Sequence, residues 1–140
     1  MKPDHRLLLV VALFASLMGS AAFAHDGDEP LPVPEHREDA AAEDFAGVWE
    51  GAWDDTWYVR LTFTPIEDEA DRVGVLYEWE ENQGKPLRRR EFVGELRDGV
   101  LYAMNDMLEV YLVPEQSDEA IAIGRFRHQR SADLTRQPAD

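Results

Sequence analysis

No cysteine occurs anywhere in this 140-residue chain. That excludes disulfides, a thiolate nucleophile and a lipid anchor carried on a cysteine. Basic residues are scarce as well: 14 Lys and Arg stand against 29 Asp and Glu, a net charge of −15. Long-range repulsion of that size opposes binding to nucleic acid or to anionic lipid. Serine is nearly missing after residue 24, where only Ser117 and Ser131 occur, neither in a Gly-x-Ser-x-Gly elbow. A phosphate-binding glycine loop and zinc-ligand spacing are absent too. Carboxylates such as Asp54-Asp55 are too numerous for any pair to stand out, and His128, amid Arg125, Arg127 and Arg130, reads as a surface residue. The sequence therefore offers no catalytic residue, no cofactor and no assigned metal site.

Apolar runs are few, and only one is long. Leu7 to Met18 is almost wholly apolar, follows Lys2 and Arg6, and leads to Ala22-Phe23-Ala24. A basic start, a short apolar stretch and small residues at −3 and −1 describe a signal peptide over 1–24, cut after Ala24. The run is too short for a membrane span. The expected product is periplasmic or secreted, with no membrane contact after cleavage; it starts at His25, holds 116 residues and carries a net charge of −16. Residues 25–44 are proline-rich and acidic without an aromatic, which predicts a disordered arm with one or two helical turns near its end. Residues 137–140 read as a disordered tail. The amine and imidazole of a terminal His25 could chelate Cu(II) with Asp26, Asp28, His36 or His128, but no spacing fixes a second ligand.

Between residues 45 and 136 the apolar period is two rather than 3.6. Trp57, Val59, Leu61 and Phe63 share one face, ended by Pro65 and an acidic run; Val73, Val75, Tyr77 and Trp79 share the next. Asp98-Gly99 is a strong hairpin turn. Eight short strands joined by turns predict an all-β, antiparallel up-and-down barrel, with an open sheet or sandwich as the alternative. Closure removes edges that would otherwise invite aggregation.

Gly47, Trp49, Gly51 and Trp53 open the first strand, and Arg136 ends the last. This pattern resembles the calycin-like barrels: lipocalins, avidins and small bacterial metalloprotease inhibitors. The resemblance implies a barrel base built from Gly47, Trp49, Trp53 and Arg136, with the arginine packed across an indole in a cation–π contact. It also implies one of two functions. A carrier would hold a small apolar or amphipathic ligand in the barrel interior, against Trp57, Tyr77, Trp79 and Phe92, with Arg90 as a carboxylate anchor. An interaction or inhibitor module would engage another exported protein through its N-terminal arm or barrel rim. The cluster Arg88-Arg89-Arg90 can instead form cross-strand ion pairs with Glu78, Glu80 and Glu81, and a one-residue slip in register decides which arginines point inward.

Overall fold

A computed structural model of the protein describes residues 29–82 and 84–139. The expected signal peptide, residues 25–28 of the expected arm and the last residue of the expected tail lie outside the described residues. From Leu31 on, the chain forms a short helix α1 (Ala42–Phe45) and eight strands. These are β1 (Gly47–Trp53), β2 (Trp57–Ile66), β3 (Glu69–Trp79), β4 (Arg88–Arg97), β5 (Val100–Ala103), β6 (Leu108–Leu112), β7 (Glu119–Arg125) and β8 (Gln129–Arg136). Each pairs antiparallel with its sequence neighbour, and β8 pairs back onto β1 to close the barrel.

Alternation decides which residues fill it. Val59, Leu61 and Phe63 of β2, Val73 and Val75 of β3, and Leu108, Val110 and Leu112 of β6 are buried inward. The opposite walls contribute small residues, Ala120, Ala122 and Ala132, against which the large ones interdigitate. Gly51 has a specific steric reason. A Cβ there would lie 2.2 Å from the Asp133 carbonyl oxygen and 3.0 Å from Leu134, so glycine lets the β8 backbone close the seam. Gly51→Ala is expected to lower the melting temperature by several degrees, measured by thermal denaturation, because backbone must move to admit the methyl group.

Three expectations need correction here. Pro65 does not end β2: the strand runs to Ile66 through a register shift at Pro65/Ile66, and β3 starts at Glu69 around the left-handed Asp68 (φ 66°). A proline is tolerated where the ladder is already interrupted. Nor is the stretch from Leu31 to Asp44 a disordered arm. It runs as a strap along the outer wall of β5 to β8: the Arg37 N–H donates to the Leu112 carbonyl (3.1 Å), the Leu31 N–H to Gln129 Oε1 (2.8 Å), and His36 meets the Tyr111 ring edge-on. The outer wall is apolar there. Val100, Tyr111 and Ile123 are buried beneath the strap, with Leu31, Tyr102 and Ile121 packed around them. Beneath it, Glu109 accepts from Arg125 (2.6 Å) and from the Tyr111 hydroxyl, an ion pair that serves to fix the strap's underside. The expected tail also begins one residue late, since the Gln137 N–H still donates to the Val48 carbonyl (2.7 Å).

Candidate functional site

The two ends of the barrel differ, and their contrast locates the site. At one end α1 folds across the opening and Phe45 enters the core fully buried, edge-on to Phe63. Trp49 stands beside it, fully buried, its Nε1 donating to the Phe45 carbonyl (2.8 Å). The Arg136 guanidinium lies 4.4 Å from the Trp49 ring centroid and donates to the carbonyls of Asp44 (2.7 Å), Ser117 (2.9 Å) and Ala46. Gly47 (φ +120°) makes the entry bend, and a Cβ there would lie 3.7 Å from Arg136 Nη1. One cation thus satisfies three backbone acceptors from two segments while capping an indole. This end is a plug.

The other end holds the turns 54–56, 80–87, 104–107 and 126–128. There the interior is not filled. A cavity of about 530 Å³ opens at this mouth. Trp53, Trp57, Tyr77, Trp79 and Phe126 give it aromatic walls, with Met104 beside them. Trp53 Nε1 donates to the Tyr77 hydroxyl (2.9 Å), Phe126 sits edge-on to Trp53, and Trp79 tilts against Tyr77 at 5.0 Å. Phe126 folds back over Gly124, where any side chain would strike its ring. Burial raises the Tyr77 pKa above its usual value despite the Trp53 hydrogen bond and the nearby Arg130. Tyr77 is therefore a neutral phenol at neutral pH. It accepts from Trp53, and among the described residues its hydroxyl has no hydrogen bond to a further acceptor.

The rim is charged. Arg90, Arg127, Arg130 and His128 line it together with Glu80 and Glu81. The register settles the arginine question: Tyr77 pairs with Arg90, Trp79 with Arg88 and Val75 with Phe92, so Arg88 and Arg90 share the inward face of Phe92. Arg88 is drawn off by Glu81 (2.8 Å). Arg90, Arg127 and Arg130 make no salt bridge among the described residues. Of the ion pairs expected across this hairpin, only Arg88–Glu81 forms among the described residues; Glu78 is gripped instead by Arg60 of β2, with two 3.0 Å bonds on the outer face.

That grip has a measurable consequence. The hydrogen bond from Arg60, with its charge, lowers the Glu78 pKa below its ordinary 4.5, against a smaller opposing effect of burial. A carboxylate with a depressed folded pKa adds stability that is complete above its unfolded pKa and is lost as pH falls through the folded value. Glu78→Gln is therefore expected to flatten the acid limb of the stability–pH curve below about pH 4.5, read by urea unfolding at stepped pH.

Of the residues expected to line the interior, Trp57, Tyr77, Trp79 and Arg90 meet at this cavity. Phe92 does not; it is half-buried against the core below. Arg90 is exposed at the rim rather than buried in the cup. Trp53 was expected at the base with Trp49, yet it lines the mouth. The reason is length: four residues of strand separate the two indoles, about 13 Å at 3.3 Å per residue. Met104, Phe126 and Arg130 complete the site without an obvious signal in the sequence, since each comes from a turn or strand start whose direction depends on closure.

Eight antiparallel strands in meander order, a helical plug and an arginine over the first-strand indole now stand together. The fold is a calycin-like barrel. No protein-family model matches the chain, and no curated protein matches it. Among solved structures, it is similar to the siderocalin Ex-FABP, described as functioning through dual ligand specificities. That likeness has 13% identity and a TM-score of 0.47, over 67% of this chain and 71% of the other.

Proposed function

We propose that this calycin-like barrel is an exported, non-catalytic carrier whose mouth binds a small amphipathic molecule with an aromatic or conjugated body and an anionic group. The observation that carries this reading is the company the rim arginines keep. In a chain of net charge −15, three arginines without carboxylate partners gather above an aromatic-walled cavity. Glu80 and Glu81 share this rim, yet neither forms a salt bridge with Arg90, Arg127 or Arg130 among the described residues, whereas Arg37, Arg60, Arg72, Arg88, Arg97, Arg125 and Arg136 each hold a carboxylate. A volume of about 530 Å³ lies within the range of small-molecule pockets, roughly 300–1,000 Å³. The flat indoles suit a planar guest, the Tyr77 proton can mark its depth, and the guanidiniums can hold its charge at the water boundary.

The test is a matched pair of probes. Fluorescence titration should give saturable 1:1 binding of 1-anilinonaphthalene-8-sulfonate, at least tenfold tighter than its uncharged parent N-phenyl-1-naphthylamine. Equal affinities would remove the anionic preference, and no binding of either would remove the carrier. The reading in which the N-terminal arm acts as a free plug loses ground, because residues from Leu31 to Phe45 are already committed to the barrel.

A further inference from the structure

The barrel wall is uneven. β4 runs for ten residues, whereas its neighbour β5 has four. Only Glu95, Leu96 and Arg97 of β4 pair with β5, while its whole length from Arg88 to Glu95 pairs with β3 on the other side. Among the described residues, no backbone hydrogen bond reaches Arg88–Val93 from the β5 side. The mouth half of β4 is therefore a free strand edge inside an otherwise closed ring.

Turn geometry tells which groups face that gap. Asp98 (φ 51°) and Gly99 (φ 79°) both adopt left-handed conformations, so the two-residue turn is type I′ and Arg97 with Val100 is its closing hydrogen-bonded pair. Antiparallel ladders alternate from there. Glu95 faces β5, and the N–H and C=O of Val93, Glu91 and Arg89 face open space. Those groups repeat about every 6.8 Å, the spacing of a template for strand addition.

The side chains say what can add. Arg88, Arg89 and Arg90 run along this edge, and neither Arg89 nor Arg90 has a salt bridge. Val93, 51% exposed, supplies an apolar contact at the far end. A second copy fits poorly. Symmetric antiparallel registers that overlap the run most fully set Glu91 against Glu91, Arg90 against Arg90 or Arg89 against Arg89, and like charges directly opposite destabilise a ladder. A segment with carboxylates at alternate positions can set them on the face of Arg88 and Arg90 and its apolar residues on the face of Glu91, and so meets no such conflict.

We propose that the Arg88–Val93 edge of β4 takes an extended acidic segment of a partner protein as an added strand. Arg90 belongs both to this edge and to the rim of the cup, whereas Arg88, Arg89, Glu91 and Val93 do not line the cavity, so variants at those positions test this reading apart from the carrier reading. The probe is a fluorescein-labelled, acetylated heptapeptide alternating glutamate and valine, with its lysine counterpart as control, followed by anisotropy. The glutamate peptide is expected to bind at least tenfold more tightly than the lysine peptide. Glu91→Pro removes a donor aimed at the gap while sparing the β3 ladder, and is expected to weaken peptide binding tenfold or more without altering the 1-anilinonaphthalene-8-sulfonate titration. If that variant melts early, Arg88→Glu, which leaves the backbone intact and lies outside the cavity lining, is expected to abolish the preference for the glutamate peptide. Failure of the glutamate peptide to bind, equal binding of the two peptides, unchanged affinity in a folded Glu91→Pro, or a retained preference in Arg88→Glu overturns the proposal; the arginines would then serve only to guard a bare edge.

Discussion

Replacing Trp49 with alanine is expected to cost about 3–5 kcal/mol, the range for removing a large aromatic from a packed core. The indole is fully buried, donates to the Phe45 carbonyl and carries the Arg136 guanidinium on its face. Its loss therefore opens a void, strands a carbonyl and removes the surface that positions the cation. For a domain of this size that corresponds to a fall in melting temperature on the order of 15 °C, readable by circular dichroism. Trp49→Phe keeps most of the packing and should cost clearly less. A small shift for the alanine variant would mean that the plug does not hold the barrel shut.

The second large effect concerns the rim. Arg90→Glu combined with Arg130→Glu replaces two cations beside the aromatic cavity with anions. A charge-assisted hydrogen bond contributes about 1.5–3 kcal/mol, so losing one and adding repulsion should weaken an anionic probe about 100-fold. Raised salt should narrow the difference, since both arginines face water at the mouth. The uncharged N-phenyl-1-naphthylamine should bind the double variant about as well as the original protein. Its loss as well would show that the substitutions damage the cavity rather than its charge.

What could be read from the residues, and what could not, follows from the range of the interactions. Alternation in Trp57 to Phe63 and Val73 to Trp79, together with Asp98-Gly99, is local, and it led directly to strands and their inward faces. The Trp49–Arg136 contact spans the chain, but the first-strand pattern and the terminal arginine flagged it. The strap was missed because polar composition was weighed without its docking surface. The signal lay in β5 to β7, where Val100, Tyr111, Ile121 and Ile123 make the outer face apolar as well as the inner one. A wall apolar on both sides demands a cover, and Leu31 with its neighbours provides it. Trp53 was misplaced for a different reason: face is set by parity, but height in the barrel is set by residue count. Arg130 and Phe126 reach the site only through the register of β7 on β8 and the turn between them.

The chain's four tryptophans offer the most direct test of the central claim. Indole N–H signals of the 15N-labelled protein should be followed by NMR while 1-anilinonaphthalene-8-sulfonate is added. Trp53, Trp57 and Trp79 line the mouth, and Trp49 is sealed at the plugged end. The expected result is saturable shifts in the first three signals with Trp49 unmoved. Equal movement of all four, or movement of Trp49 alone, would contradict a barrel closed at one end and receptive at the other.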